Sequence, residues 1–143
     1  MTTITEDIAQ LLHDLAVGDY RADGSVGGTI YLTHLPDSPD EVMAVARYAG
    51  GTADSRLPYD PVNIQVRVRG TRTDARTGEA SAQAVYDAVH GLTDRPLTSG
   101  ARLLLAVGAQ GGPVYMARDS VGRHEWAVNF NCEIHRRTAN RRS

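Results

Sequence analysis

The chain reads as an α+β domain: a mostly antiparallel sheet of about five or six strands with two helices packed on one face. Three observations predict it. Two segments carry a helical apolar period, several short runs alternate apolar and polar residues, and the elements fall in the order α, β-β-β, α, β-β-β. At 143 residues the chain is the size of a single domain, 1–143, at roughly 100 to 200 residues per domain. A chain of that size removes roughly two thirds of its surface from water on folding, so a real core is available.

Thr3 followed by Glu6 is a capping-box pattern, and Ile4, Ile8, Leu11, Leu12 and Leu15 then line one helical face. This helix is expected to end at Gly18 as its C′ residue. Residues 18–28, with four glycines and no apolar period, read as a mobile connection. A strand over 30–35 stops at the turn PDSPD, 36–40. The segment 41–49 has Ala and Met that favour helix, but its shortness between Pro39 and Gly50-Gly51 reads as a strand.

After the loop 50–61, Val62, Ile64, Val66 and Val68 alternate with Asn63, Gln65, Arg67 and Arg69, the clearest strand signal in the chain. Residues 74–90 form the second helix, with Ala75, Ala82, Val85, Tyr86 and Val89 as its stripe and Gly91 past its end. The apolar run 101–109 reads as a buried strand. A hairpin closes the fold, 114–119 returning as Trp126, Val128, Phe130, Cys132 and Ile134 in alternation with polar or small residues. No repeat of 20 to 50 residues is visible.

Hydrophobic residues at 41% and charged residues at 22% exclude disorder of the whole chain. The single Cys132 excludes an internal disulfide framework and a Cys-only zinc site, and points to a reducing compartment. The N-terminus has no positive n-region and no apolar run approaches a membrane span, so neither secretion nor a membrane partner is signalled. All fifteen basic residues are Arg, the mark of a GC-rich coding genome. Residues 1–60 hold 3 Arg and 10 acids, net −7, whereas 61–143 hold 12 Arg and 7 acids, net +5. Such asymmetry lets the acidic surface of one copy meet the basic surface of the next, unless the two halves interleave on one surface.

No catalytic, cofactor or metal site emerges. Cys132 and His135 are three apart, which in a strand points them to opposite faces, and Cys132 lies among apolar neighbours as a small buried hydrophobe. His13 and His90 suit helix C-terminal ends. Asp37, Asp40 and Glu41 read as turn chemistry, and GAQGG at 108–112 precedes Pro113 and a strand, the wrong context for a phosphate loop. The tail 136–143 reads as a flexible basic segment with four Arg and no aromatic for base stacking. Candidate subunit or partner contacts are Leu57, Pro58, Tyr59 and Asp60 of the loop, Gln65, Arg67 and Arg69 of the polar strand face, and Arg136 and Arg137 of the tail.

The segments LPDSPDEVMAVARYAGG (35–51), LPYDPVNIQVRVRG (57–70), AVYDAVHGL (84–92) and ARDSVGRHEWAVNFNCEIHRR (117–137) resemble, in content and order, a family of bacteriophage minor capsid proteins that act as tail terminators. The resemblance implies a virion protein without catalytic residues or cofactor. It implies a homohexameric ring at the head-proximal end of the tail, formed in the host cytoplasm, that stops growth of the tail tube. The implied partners are further copies of itself, the major tail tube protein and a head-completion or connector protein. Genomic DNA would pass through the lumen without sequence-specific binding, which a strongly basic lining would obstruct. Two other readings compete: a DNA-binding accessory module using the C-terminal arginines, and a small cytosolic enzyme using Cys132 with a histidine.

Overall fold

Strand β7, His124–His135, is the spine around which the rest of the sheet is organised. The computed structural model describes residues 2–141. The elements are α1 (Ile4–Asp14), β1 (Ile30–Leu32), β2 (Val42–Tyr48), β3 (Tyr59–Arg69), α2 (Ala75–Val89), β4 (Thr93–Pro96), β5 (Arg102–Gly108), β6 (Val114–Arg118) and β7. They form one sheet in the order β1-β2-β3-β7-β5-β4, with β6 also paired to β7. One edge of β7 is taken along its length by β3, from Tyr59 opposite His135 to Arg69 opposite Glu125. The other edge is divided: β5 pairs with its C-terminal half and β6 with its N-terminal end. β1 runs parallel to β2 and every other pair is antiparallel, so the sheet is mixed.

The alternation of β3 and β7 sets the two faces. Val62, Ile64, Val66 and Val68 lie opposite Cys132, Phe130, Val128 and Trp126, and this face packs against both helices. Ile8, Leu11 and Leu12 from α1 and Ala82, Val85 and Val89 from α2 complete a single core with it. Burying a Val, Leu, Ile or Phe side chain of this kind contributes about 1.5–3 kcal/mol. At the join of α2 and β3 the backbones touch: a Cβ on Gly70 would lie 2.4 Å from the Gly78 nitrogen, so both positions exclude a side chain.

The capping box of α1 is formed, with the Glu6 amide donating to Thr3 Oγ1 and the Thr3 amide to Glu6 Oε1, both at 3.1 Å. The helix stops earlier than expected. Ala16, at φ 62°, is its C′ residue, with Ala16 N–H bonded to the His13 carbonyl and Val17 N–H to that of Leu12. Gly18 serves instead as a point of close approach, where a Cβ would lie 2.7 Å from Ile30 Cγ1.

Other expectations are corrected as well. The first strand covers only 30–32, because Thr33 turns to φ 73°. β4 is a seventh strand that the sequence does not announce: TDRP has no alternation, is exposed throughout and exists only as an edge paired to β5. The run 101–109, expected to be buried, is buried on one face alone; Leu103 and Ala106 are inside while Leu105 and Val107 are 41% and 40% exposed. Ala75, placed on the apolar stripe of α2, is exposed at its first turn. The connection 18–28 carries its own bonds, the Asp19 carbonyl accepting from the amides of Thr29 and Ile30.

Candidate interaction surface

The outer face of the sheet is polar and largely bonded to itself. Arg67 Nη2 donates to Glu125 Oε1 at 2.6 Å, and Gln65 Nε2 to Asn129 Oδ1 at 3.0 Å. Asn129 Nδ2 in turn donates to Gln110 Oε1 at 2.9 Å. Arg69, expected at a partner surface, lies inside the fold at 3% exposure. Its Nε and Nη2 donate to the carbonyls of Asp40 and Pro39 at 3.0 and 2.7 Å. Pro58 is also fully buried. The alternation of β3 places Arg69 on the polar face, but the turn 36–41 covers that end of the face, and sequence spacing carries no sign of this.

A second buried arginine holds the same turn. Arg123 is bound to Asp119 by Nε–Oδ2 at 2.8 Å, donates Nη1 to the Asp37 carbonyl and lies 3.3 Å from Asp40 Oδ1. Burial pushes the Asp119 carboxyl up, but the Arg123 amide and guanidinium outweigh it and hold it below the usual range. The turn is thereby fixed through its backbone. The carboxylates of Asp37 and Glu41 are exposed and carry no partner among the described residues.

At the far end of the sheet Leu57 and Tyr59 are 44% and 41% exposed, beside the start of the C-terminal tail. Tyr59 stacks edge-on against His135 with ring centroids 5.2 Å apart. Asp60 receives Arg141 through two bonds of 2.8 and 2.9 Å and has Arg136 at 3.5 Å. The Arg141 hydrogen bonds hold the Asp60 carboxyl below its ordinary range, against the opposing effect of burial. Residues 136–141 therefore fold back on the body, whereas Arg142 and Ser143 of the expected basic tail lie outside the described residues.

Next to this lies a cleft of about 740 Å³ lined by Thr2, Thr3, Ile4, Arg47, Ser99, Gly100, Ala101, His135, Arg136 and Arg137. No lining residue is acidic, and Arg47 and Arg137 have no carboxylate partner among the described residues. One wall is set by buried Asp7 of α1, which accepts from the amide of Ser99 at 2.9 Å and from its hydroxyl. Arg136 and Arg137 were legible as candidates. Arg47, Ser99 and Thr2–Thr3 were not, because the cleft draws on four segments far apart in sequence.

Cys132 lies on the inner face, and burial pushes its thiol up to about 12, the opposite of what an activated nucleophile requires. His135, on the outer face, is engaged with Tyr59. Among the described residues no three His, Cys, Asp or Glu side chains are grouped to hold a metal ion, and no helix is long and apolar enough to cross a membrane.

The fold is an α+β domain whose charged groups brace its loops, pair across its strands or, as at Arg47, Arg137, Asp37 and Glu41, stand exposed without an ionic partner among the described residues. Over residues 11–136 the chain matches the family model of the bacteriophage tail terminator protein, and it belongs to that family. Its members are structural proteins of the phage virion, not an enzyme family. No curated protein shows a significant match to the chain.

Proposed function

We propose that this protein terminates the phage tail: copies assemble as a ring, a homohexamer, that caps the tail tube and presents the surface on which the head is joined. The observation that carries this reading is the family match across 11–136. The surface supports it. A heterologous contact repeated by rotation closes into a ring and needs two different patches on one subunit, which the acidic turn 36–41 and the Arg-lined cleft supply. The exposed Leu57 and Tyr59, with Gln65 and Arg67 on the outer face, offer further contact area for the tube protein or a head-completion protein. DNA passes through the opening without sequence-specific contact, past a lumen that is acidic or mixed in charge.

Electron microscopy of particles made with and without the gene tests the proposal. Loss of the protein is expected to give tubes of unregulated length and heads without tails, and labelling of intact virions places it at the head-proximal end of the tail. Normal virions assembled in its absence refute the proposal.

Against a duplex-binding module, Arg141 of the tail is held by Asp60 through two hydrogen bonds of 2.8 and 2.9 Å. Removing 136–143 and following duplex affinity against salt separates the two. A phosphate binder has a steep slope that truncation flattens.

A further inference from the structure

Two patches of opposite charge lie at opposite ends of β2, and each holds side chains with no ionic partner among the described residues. At one end is the turn 36–41, clamped by Arg69 and Arg123 through the carbonyls of Asp37, Pro39 and Asp40, with the Asp37 and Glu41 carboxylates outward and unpaired. At the other, about 20 Å away along a seven-residue strand, Arg47 and Arg137 are also unpaired and Arg136 has only a 3.5 Å contact with an Asp60 that Arg141 already occupies. Arginine's planar fork matches carboxylates in two-bond geometry.

We infer that the turn 36–41 of one copy docks in the Arg47–Arg136–Arg137 cleft of the next copy. This contact rests on the ring proposed above and assigns its residues. A cleft of about 740 Å³ has room for the side chains of a turn of a few residues. The cost of ordering is low, because the two arginine clamps hold the turn in shape before contact. Exposed Leu57 and Tyr59 stand at the side of the cleft, where they add apolar area around the ion pairs. The contact joins different patches, so each copy uses one end to hold and the other to be held.

Paired charge reversals test this in the full-length protein. Arg47→Glu with Arg137→Glu makes the cleft acidic, and Asp37→Arg with Glu41→Arg makes the turn basic. All four positions are exposed, and unchanged circular dichroism and melting confirm that each variant is folded. Either variant alone is expected to enter virion necks roughly a hundredfold less than wild type, since like charges then face each other. Supplied together, the two variants complement in alternation and restore incorporation.

Failure of the mixture to recover refutes the contact. So does a ring that survives the cleft reversal while the tube detaches, which assigns the cleft to the tube protein. A wild-type chain absent from virion necks overturns the ring proposal itself, and the contact with it.

Discussion

Replacing Asp7 by alanine removes a carboxylate that is 1% exposed and holds the 97–101 turn against α1. Two hydrogen bonds to a charged acceptor are lost, each worth about 1.5–3 kcal/mol. Relief of burying the carboxylate offsets part of this, and Ser99 sits close enough to the surface for water to replace part of the rest. The net loss is about 2–3 kcal/mol. For a chain of this length that lowers the midpoint by about 6–12 °C, read by circular dichroism on heating. Asp7→Asn keeps an acceptor for the Ser99 amide and is expected to lose about half as much. Combined with Ser99→Ala, Asp7→Ala shows a coupling of about 1–2 kcal/mol. A midpoint within about 1 °C of wild type refutes the reasoning that this pair braces the cleft wall.

Ala16→Gly relieves a left-handed alanine and is expected to stabilise by about 0.5–1 kcal/mol, raising the urea midpoint at unchanged slope. Cys132 should resist thiol reagents at pH 8 in the folded protein and react at the rate of unfolding, since its thiol is pushed up to about 12. Asp60 has a folded value below its unfolded one. Its contribution is therefore complete above about pH 4 and is lost as pH falls through the lower folded value. Protection of 136–141 against hydrogen exchange, taken relative to the unstructured rate at each pH, should fall in that acid range, and Asp60→Asn should show the lower protection already at neutral pH.

The elements legible in advance are those whose local chemistry and burial agree. Thr3 and Glu6 announce α1, and the strict alternation of β3 and β7 gives both faces of the sheet before any contact is known. β4 was silent because pairing with β5, not its own residues, makes it a strand. Gly18 suggests the end of α1 but is kept small by Ile30, and Ala16 takes the left-handed cap instead. The cleft could not be read from spacing. Arg47 and Arg137 are ninety positions apart and meet only through the β2-β3-β7 register.

The central position of β7 has a consequence during synthesis. The strand that joins β3, β5 and β6 is made after all three, and β3 meets it across a sequence gap that places Gln65 opposite Asn129. At about 5–20 residues per second, the β3 edge waits about 3–11 s after Arg69 is translated before His124 follows it. Until then a valine-rich strand has no neighbour on that side, so nascent chains are at their most prone to stick to one another in this interval. A polypeptide shortened before residue 124 never leaves that condition, so the pairing of the earlier strands waits on residues 124–135.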